Sequence, residues 1–176
     1  MQFVPWRHIS DWHCISCGSC CQLYSVVINF HEWLNIVKNF GVEKTASGLD
    51  KLYIKRGNDG SCAFLLGFPD GYSCGLQHMK PKACKLWPFK ILSIPKFGFA
   101  EEAAYNYGEN RLFIYLDSMC NGIRYGEPTW EFSKHIVREF AEIALGIRDN
   151  QVRTTAKMFT QQSFVFKQYW KAKTHV

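Results

Sequence analysis

The chain has 176 residues, enough for one domain with a core of its own, so a bound group is not needed merely to compensate for small size. Its net charge of +6 is spread along the sequence, which gives little support to a dedicated nucleic-acid or membrane-surface binder. Hydrophobic residues at 47% and charged residues at 20% exclude a disordered chain, no apolar run is long enough to span a bilayer, and the unusual feature left is the eight cysteines.

Met1 to His8 shows no basic leader followed by a long apolar stretch, so the expected compartment is a reducing cytoplasm. Clustered thiols there are more often metal ligands or redox centres than disulfides. The cysteine-rich stretch Cys14-Ile15-Ser16-Cys17-Gly18-Ser19-Cys20-Cys21 comes next. A spacing of two residues lets a tight turn aim successive sulfurs at one point, and Gly18 permits a positive φ that turns backbone amides toward it. Such amides donate hydrogen bonds to metal-bound sulfur and offset its charge.

Leu23 to Ile28 is rich in β-branched residues and predicts a short strand. Asn29 and Glu32 have the spacing of a capping box, and the helix they start should run to Phe40, where Gly41 stops it. Leu49 to Lys55 and Cys62 to Leu66 predict two strands of a hairpin through Gly57-Asn58-Asp59-Gly60. Phe68 to Phe99, with Pro69, Pro81, Pro88 and Pro95, predicts loops and short pieces that hold metal-ligating side chains in place. Two further strands are expected at Phe99 to Tyr107 and Leu112 to Leu116, joined at Gly108-Glu109-Asn110.

Phe132, Ile136, Phe140, Ile143, Ala144 and Ile147 recur at three and four residues and place one apolar face on a helix, with Pro128 at its first turn. Gln151 to His175 predicts a further helix or an extended tail, in which Phe164, Phe166, Tyr169 and Trp170 alternate with Lys167, Lys171 and Lys173. Docking of that segment on its own domain is the expectation; stacking on nucleic acid or resting on a membrane are the alternatives. The fold class is α+β: a single domain over 1–176, with a cysteine-cluster core over 14–122 and a C-terminal helical segment over 128–176.

Cys14, Cys17 and Cys20 carry the C-x2-C-x2-C spacing by which bacterial ferredoxins hold three corners of a 4Fe-4S cluster. The ferredoxin Cys-Pro three residues further on is absent, so a fourth ligand must come from elsewhere. Cys21, Cys62, Cys74, Cys84 and Cys120 are the candidates, and several of them are available for a second site. Neighbouring side chains of an extended stretch point to opposite sides, so Cys20 and Cys21 could feed two centres. An iron-sulfur cluster is the favoured cofactor, and zinc is the alternative that the same thiols accept. With this thiol complement, His13 and His78 are read as lying outside the ligand set, and Glu101, Glu102 and Asp117 as solvated carboxylates.

Taken together, the order of motifs resembles the cysteine-cluster family of zinc- or iron-chelating domains, with its C-x2-C-x2-C-C signature. The resemblance continues through Cys62-Ala63-Phe64-Leu65, a Cys-x9-Cys segment from Cys74 to Cys84 carrying Lys80-Pro81 before its second cysteine and Trp87-Pro88 after it, and Cys120-Asn121-Gly122. Lys80 stands where the family usually has arginine, Gln77 where it has tyrosine and Trp87 where it has phenylalanine. If Lys80 or Lys85 balances thiolate charge, the lysine keeps the charge but loses arginine's planar fork of donors. Flagellin lysine N-methylases are more distantly similar through the same motif, which implies methyl transfer as a further alternative; no Gly-x-Gly-x-x-Gly loop locates a cosubstrate. The functions implied are a redox or cluster-dependent role on an unknown substrate, a structural zinc module docking a protein or nucleic-acid partner, or metal storage and delivery.

Overall fold

The computed structural model describes residues 2–153; the expected helix or tail over Gln151 to His175 lies almost wholly outside them. The chain opens with β1 (Phe3–Pro5), a 3-10 turn at Trp6–His8 and β2 (Ile9–Trp12), then crosses the cysteine-rich loop into α1 (Ser19–Leu23). Next come β3 (Val27–Ile28), α2 (Phe30–Phe40), β4 (Thr45–Ser47), β5 (Leu52–Ile54), and the hairpin of β6 (Leu65–Phe68) and β7 (Gly71–Cys74). Then follow α3 (Lys82–Leu86), β8 (Phe89–Leu92), α4 (Ala100–Ala103), β9 (Ala104–Tyr107), β10 (Asn110–Asp117) and β11 (Ile123–Tyr125). A π turn at Phe132–Ile136 runs into the last described helix, α5 (Val137–Leu145). Among the described residues no helix is long and apolar enough to cross a membrane.

Strand β10 organises the larger half, pairing antiparallel with β1, β8 and β9. Its side chains alternate between two faces, as a pleated strand requires. Leu112, Ile114 and Leu116 enter a core with Trp6, Ile9, Trp12, Phe89 and the helical residues Phe132, Ile136, Val137, Phe140 and Ala141. Phe113 and Tyr115 face a smaller cluster with Ala103. Phe140 stacks on Phe89 at 3.9 Å between centroids and meets Trp12 edge-on at 5.2 Å, so the helix is keyed to the sheet through aromatic contacts.

The smaller half has its own core of Ile28, Ile36, Ile54, Cys62, Phe64 and Leu76. Its helix α2 begins as the capping-box spacing predicts: the Glu32 amide donates to Asn29 Oδ1 and the Asn29 amide to Glu32 Oε2, each at 2.9 Å. The other Glu32 oxygen accepts from the Lys82 amide at 2.7 Å, which ties the start of α3 to the start of α2. At the other side, Lys82 Nζ donates to the Ala144 carbonyl at 2.8 Å, so the helix that carries Cys84 is anchored to both halves. Asn29→Ala is expected to cost about 1 kcal/mol by loss of the cap. Urea unfolding should register it as a lower midpoint at unchanged slope.

Several local expectations are corrected. The strand at Leu23 to Ile28 shrinks to Val27–Ile28, because α1 has already taken Leu23. The stretches 49–55 and 62–66 do not form a hairpin: β5 has β3 on one edge and β4 on the other, and β6 pairs with β7 instead. Only the isolated Arg56–Cys62 bridge joins them. Phe99 to Tyr107 begins with the helical turn α4 before strand β9, consistent with the helix-forming run Ala-Glu-Glu-Ala. In the C-terminal helix, Thr129 caps the Phe132 amide at 3.2 Å, so Pro128 lies just outside the first turn. Ile147 lies beyond the Gly146 stop and is exposed.

Candidate metal centre

The cysteine-rich loop leaves β2 at Trp12 and is shaped by two left-handed residues, Ser16 at φ 56° and Gly18 at φ 73°. Gly18 opens α1 by accepting from the Cys21 and Gln22 amides at 2.9 and 3.1 Å. Space as well as φ demands glycine there, since a Cβ would lie 2.8 Å from the Tyr72 ring. The Tyr72 amide donates to the Ser16 carbonyl at 2.8 Å, so the β6–β7 hairpin is clamped onto the loop.

All eight cysteines are free thiols, and all eight line one cavity of about 540 Å³. Backbone pairing brings them there in two sets. The His13 amide donates to the Gly122 carbonyl at 3.3 Å, a close approach in which a Cβ on Gly122 would meet the His13 carbonyl oxygen. That contact brings Cys14 beside Cys120, and both pack against the larger core. The Cys62 amide donates to the Cys21 carbonyl at 2.8 Å, and Leu65 registers with Cys74 in the hairpin. These three thiols pack on or within the smaller core.

Cys20 and Cys21 do not point to opposite sides. They occupy one turn of α1, not an extended stretch, and their sulfurs stand 3.8 Å apart. Cys20 therefore sits among the thiols of the second set: its charge acts on Cys62, Cys74 and Cys84. The charges felt by Cys120 are those of Cys14 and Cys17.

The two sets differ in electrostatics. Hydrogen bonding with the Cys21 thiol lowers Cys20 and Cys62 to about 7, and the same contacts push Cys21 up. Burial pushes Cys74 and Cys84 up, and the Lys80 ammonium pulls against that on both. Burial also raises Cys120, opposed by the indole of Trp12, whose Nε1 donates to Cys120 Sγ at 3.3 Å. An indole donor of this kind offsets the charge of a metal-bound thiolate.

His13 and His78 are exposed and outside the cavity lining. Glu101 is exposed and paired with Arg111 at 3.2 Å. Asp117 is not solvated: it is 1% exposed, lines the cavity, and accepts from Tyr24 Oη at 3.1 Å and from the Met119 amide at 3.0 Å. Partial burial and the Asp117 carboxylate push the Tyr24 phenol up to about 12, so it remains a proton donor at neutral pH. Tyr24, whose ring lies tilted against Trp87 at 4.4 Å between centroids, and Trp12 are the residues of this site that the sequence does not single out.

Among the described residues no three metal-binding side chains are already drawn to a single point. The donor set nevertheless suits a thiophilic metal: soft thiols, free of disulfides, facing one cavity whose neighbours include the cation Lys80 and the indole donor Trp12. Residues that would hold the metal are the eight cysteines; the group would supply Lewis-acid or electron-transfer chemistry.

Comparison with protein-family models matches residues 13–121 to the CxxCxxCC family, described as "Putative zinc- or iron-chelating domain". No curated protein and no solved structure matches the chain significantly.

Proposed function

Because the chain belongs to the CxxCxxCC family of zinc- or iron-chelating domains, we propose that it binds an iron-sulfur centre through cysteine thiolates, a 4Fe-4S cluster foremost, and uses it in redox or cluster-dependent chemistry. The observation that carries this reading is the gathering of all eight thiols at one cavity, none of them spent on a disulfide. Iron-sulfur clusters are held by cysteine thiolates, and thiols in this number favour iron and sulfide over a lone ion. A reducing compartment fits thiols that must stay free until loaded.

The cavity wall supports chemistry in addition to storage. Tyr24 holds a proton beside the buried Asp117 carboxylate, and Trp87, Ile91 and Leu92 give an apolar wall beside the thiols. Such a wall excludes water and strengthens electrostatic interactions inside. Zinc is the other metal that this donor set accepts, since four thiolates can close a tetrahedral structural site.

Iron and acid-labile sulfide analysis of protein prepared without oxygen separates the two. Near-equal iron and sulfide with a broad visible absorption band is the expected result; stoichiometric zinc without sulfide would overturn the iron assignment and leave thiolate coordination standing.

A further inference from the structure

We propose that the eight thiols serve two separate metal centres: one on Cys14, Cys17 and Cys120, the other on thiols drawn from Cys20, Cys21, Cys62, Cys74 and Cys84. The inference rests on the metal-binding reading above and concerns how the thiols are divided.

A four-coordinate ion or one cubane takes at most four protein thiolates, so eight exceed what one centre can use. The scaffold divides them in the same way as the packing does. Cys14 and Cys120 are joined through the His13–Gly122 hydrogen bond and sit on the larger core, where Trp12 Nε1 reaches Cys120. Cys17 follows Cys14 in the same loop, ahead of the left-handed Gly18 that opens α1. The second set is built on other elements. Its members are fastened by the Cys62–Cys21 backbone bond, the Leu65–Cys74 register and the 3.8 Å approach of Cys20 to Cys21. Cys84 enters it from α3, which Glu32 and Ala144 hold in place.

Cys14 and Cys120 thus pack on one hydrophobic core, and Cys21, Cys62 and Cys74 on the other. Drawing all the sulfurs to one point would require the cores to shift against each other, at the cost of close packing in both. The run Cys14, Cys17, Cys20 is split by the same geometry, because Gly18 starts α1 and turns Cys20 into the company of Cys21. Three thiols leave a fourth position at the first centre to be filled. The buried carboxylate of Asp117 and the phenol of Tyr24 line the cavity shared with that set.

The test uses the full chain prepared without oxygen, with metal content and spectra measured on wild type, Cys120→Ser, Cys62→Ser and the double variant. Two centres predict that each single variant keeps part of the wild-type metal, about half if both centres are of one kind, and that the double variant keeps none. The two single-variant spectra should differ and sum to that of wild type. Complete metal loss in either single variant with a native circular dichroism spectrum means one shared centre and overturns the division, as does unchanged loading in both. If a variant does not fold, cobalt(II) titration of the stripped wild-type chain decides. Two resolved equivalents with thiolate-to-cobalt absorption are expected, and a single equivalent overturns the proposal. Wild type that holds no metal at all would instead sink the metal-binding reading itself.

Discussion

Stripping the metal from the anoxically prepared protein with a strong chelator is expected to lower its melting temperature by about 8–16 °C. Metal held at a thousandfold excess over its dissociation constant stabilises the folded state by about 4 kcal/mol. For a chain of this size each kcal/mol corresponds to roughly 2–4 °C. The loss should fall unevenly. Strand β8 stays pinned by its register with β10, and the larger core has Trp12, Phe89 and Phe140 to hold it without metal. The β6–β7 hairpin and α3 have fewer such ties, and they carry Cys74 and Cys84. Limited proteolysis of the stripped protein should therefore cut first between Phe68 and Phe89. Equal melting temperatures and an unchanged digestion pattern would mean that metal and fold are uncoupled.

Replacing Lys80 by methionine is expected to weaken metal retention by about 10- to 100-fold, the range seen when groups around a metal's ligands are removed. Its ammonium is a neighbouring cation that favours the charged forms of Cys20, Cys74 and Cys84. Each thiolate bound to metal adds negative charge to a partly buried site, and without a cation that charge is costly. Lys80→Arg keeps the charge and restores the residue usual in the family, so it should retain wild-type loading. Competition with a chromophoric chelator measures both variants. Equal weakening in the two would assign Lys80 a packing role instead.

Acid should release the metal for a related reason. Ligand thiols must shed protons before they bind, so apparent affinity rises with pH. Burial holds Cys74, Cys84 and Cys120 above their ordinary value, so the rise should continue beyond the usual thiol range of about 8–9. For the metal-free chain the sign is different. Those three raised groups favour folding at lower pH, and their contribution is lost as pH climbs through their folded values. Cys20 and Cys62, lowered to about 7, favour folding above the unfolded thiol range and lose that contribution as pH falls through about 7.

What could be read from the sequence was local. The Asn29–Glu32 box, the Gly41 stop and the turn after Tyr107 each depend on residues within one or two turns of each other, and each is found in the fold. The amphipathic spacing from Phe132 to Ile143 likewise located the helix that covers the sheet. No hairpin forms from Leu49 to Leu66 because both edges of β5 are taken, one by β4 across the 48–51 turn and the other by β3 from before α2. At the site, residue type and spacing named the thiols, but not their grouping. Cys20 and Cys21 were read as extended neighbours, whereas Gly18 in the left-handed region begins a helix and brings both sulfurs to one side. Asp117 looked like a surface carboxylate because nothing near it in sequence announces that Tyr24 will donate to it across the fold.

X-ray absorption at the metal edge of the native protein tests most directly whether these cysteines grip a metal. Sulfur scattering at about 2.3 Å from the metal is the predicted first shell. A first shell of oxygen and nitrogen alone, or a protein that carries no metal when prepared without oxygen, would contradict it.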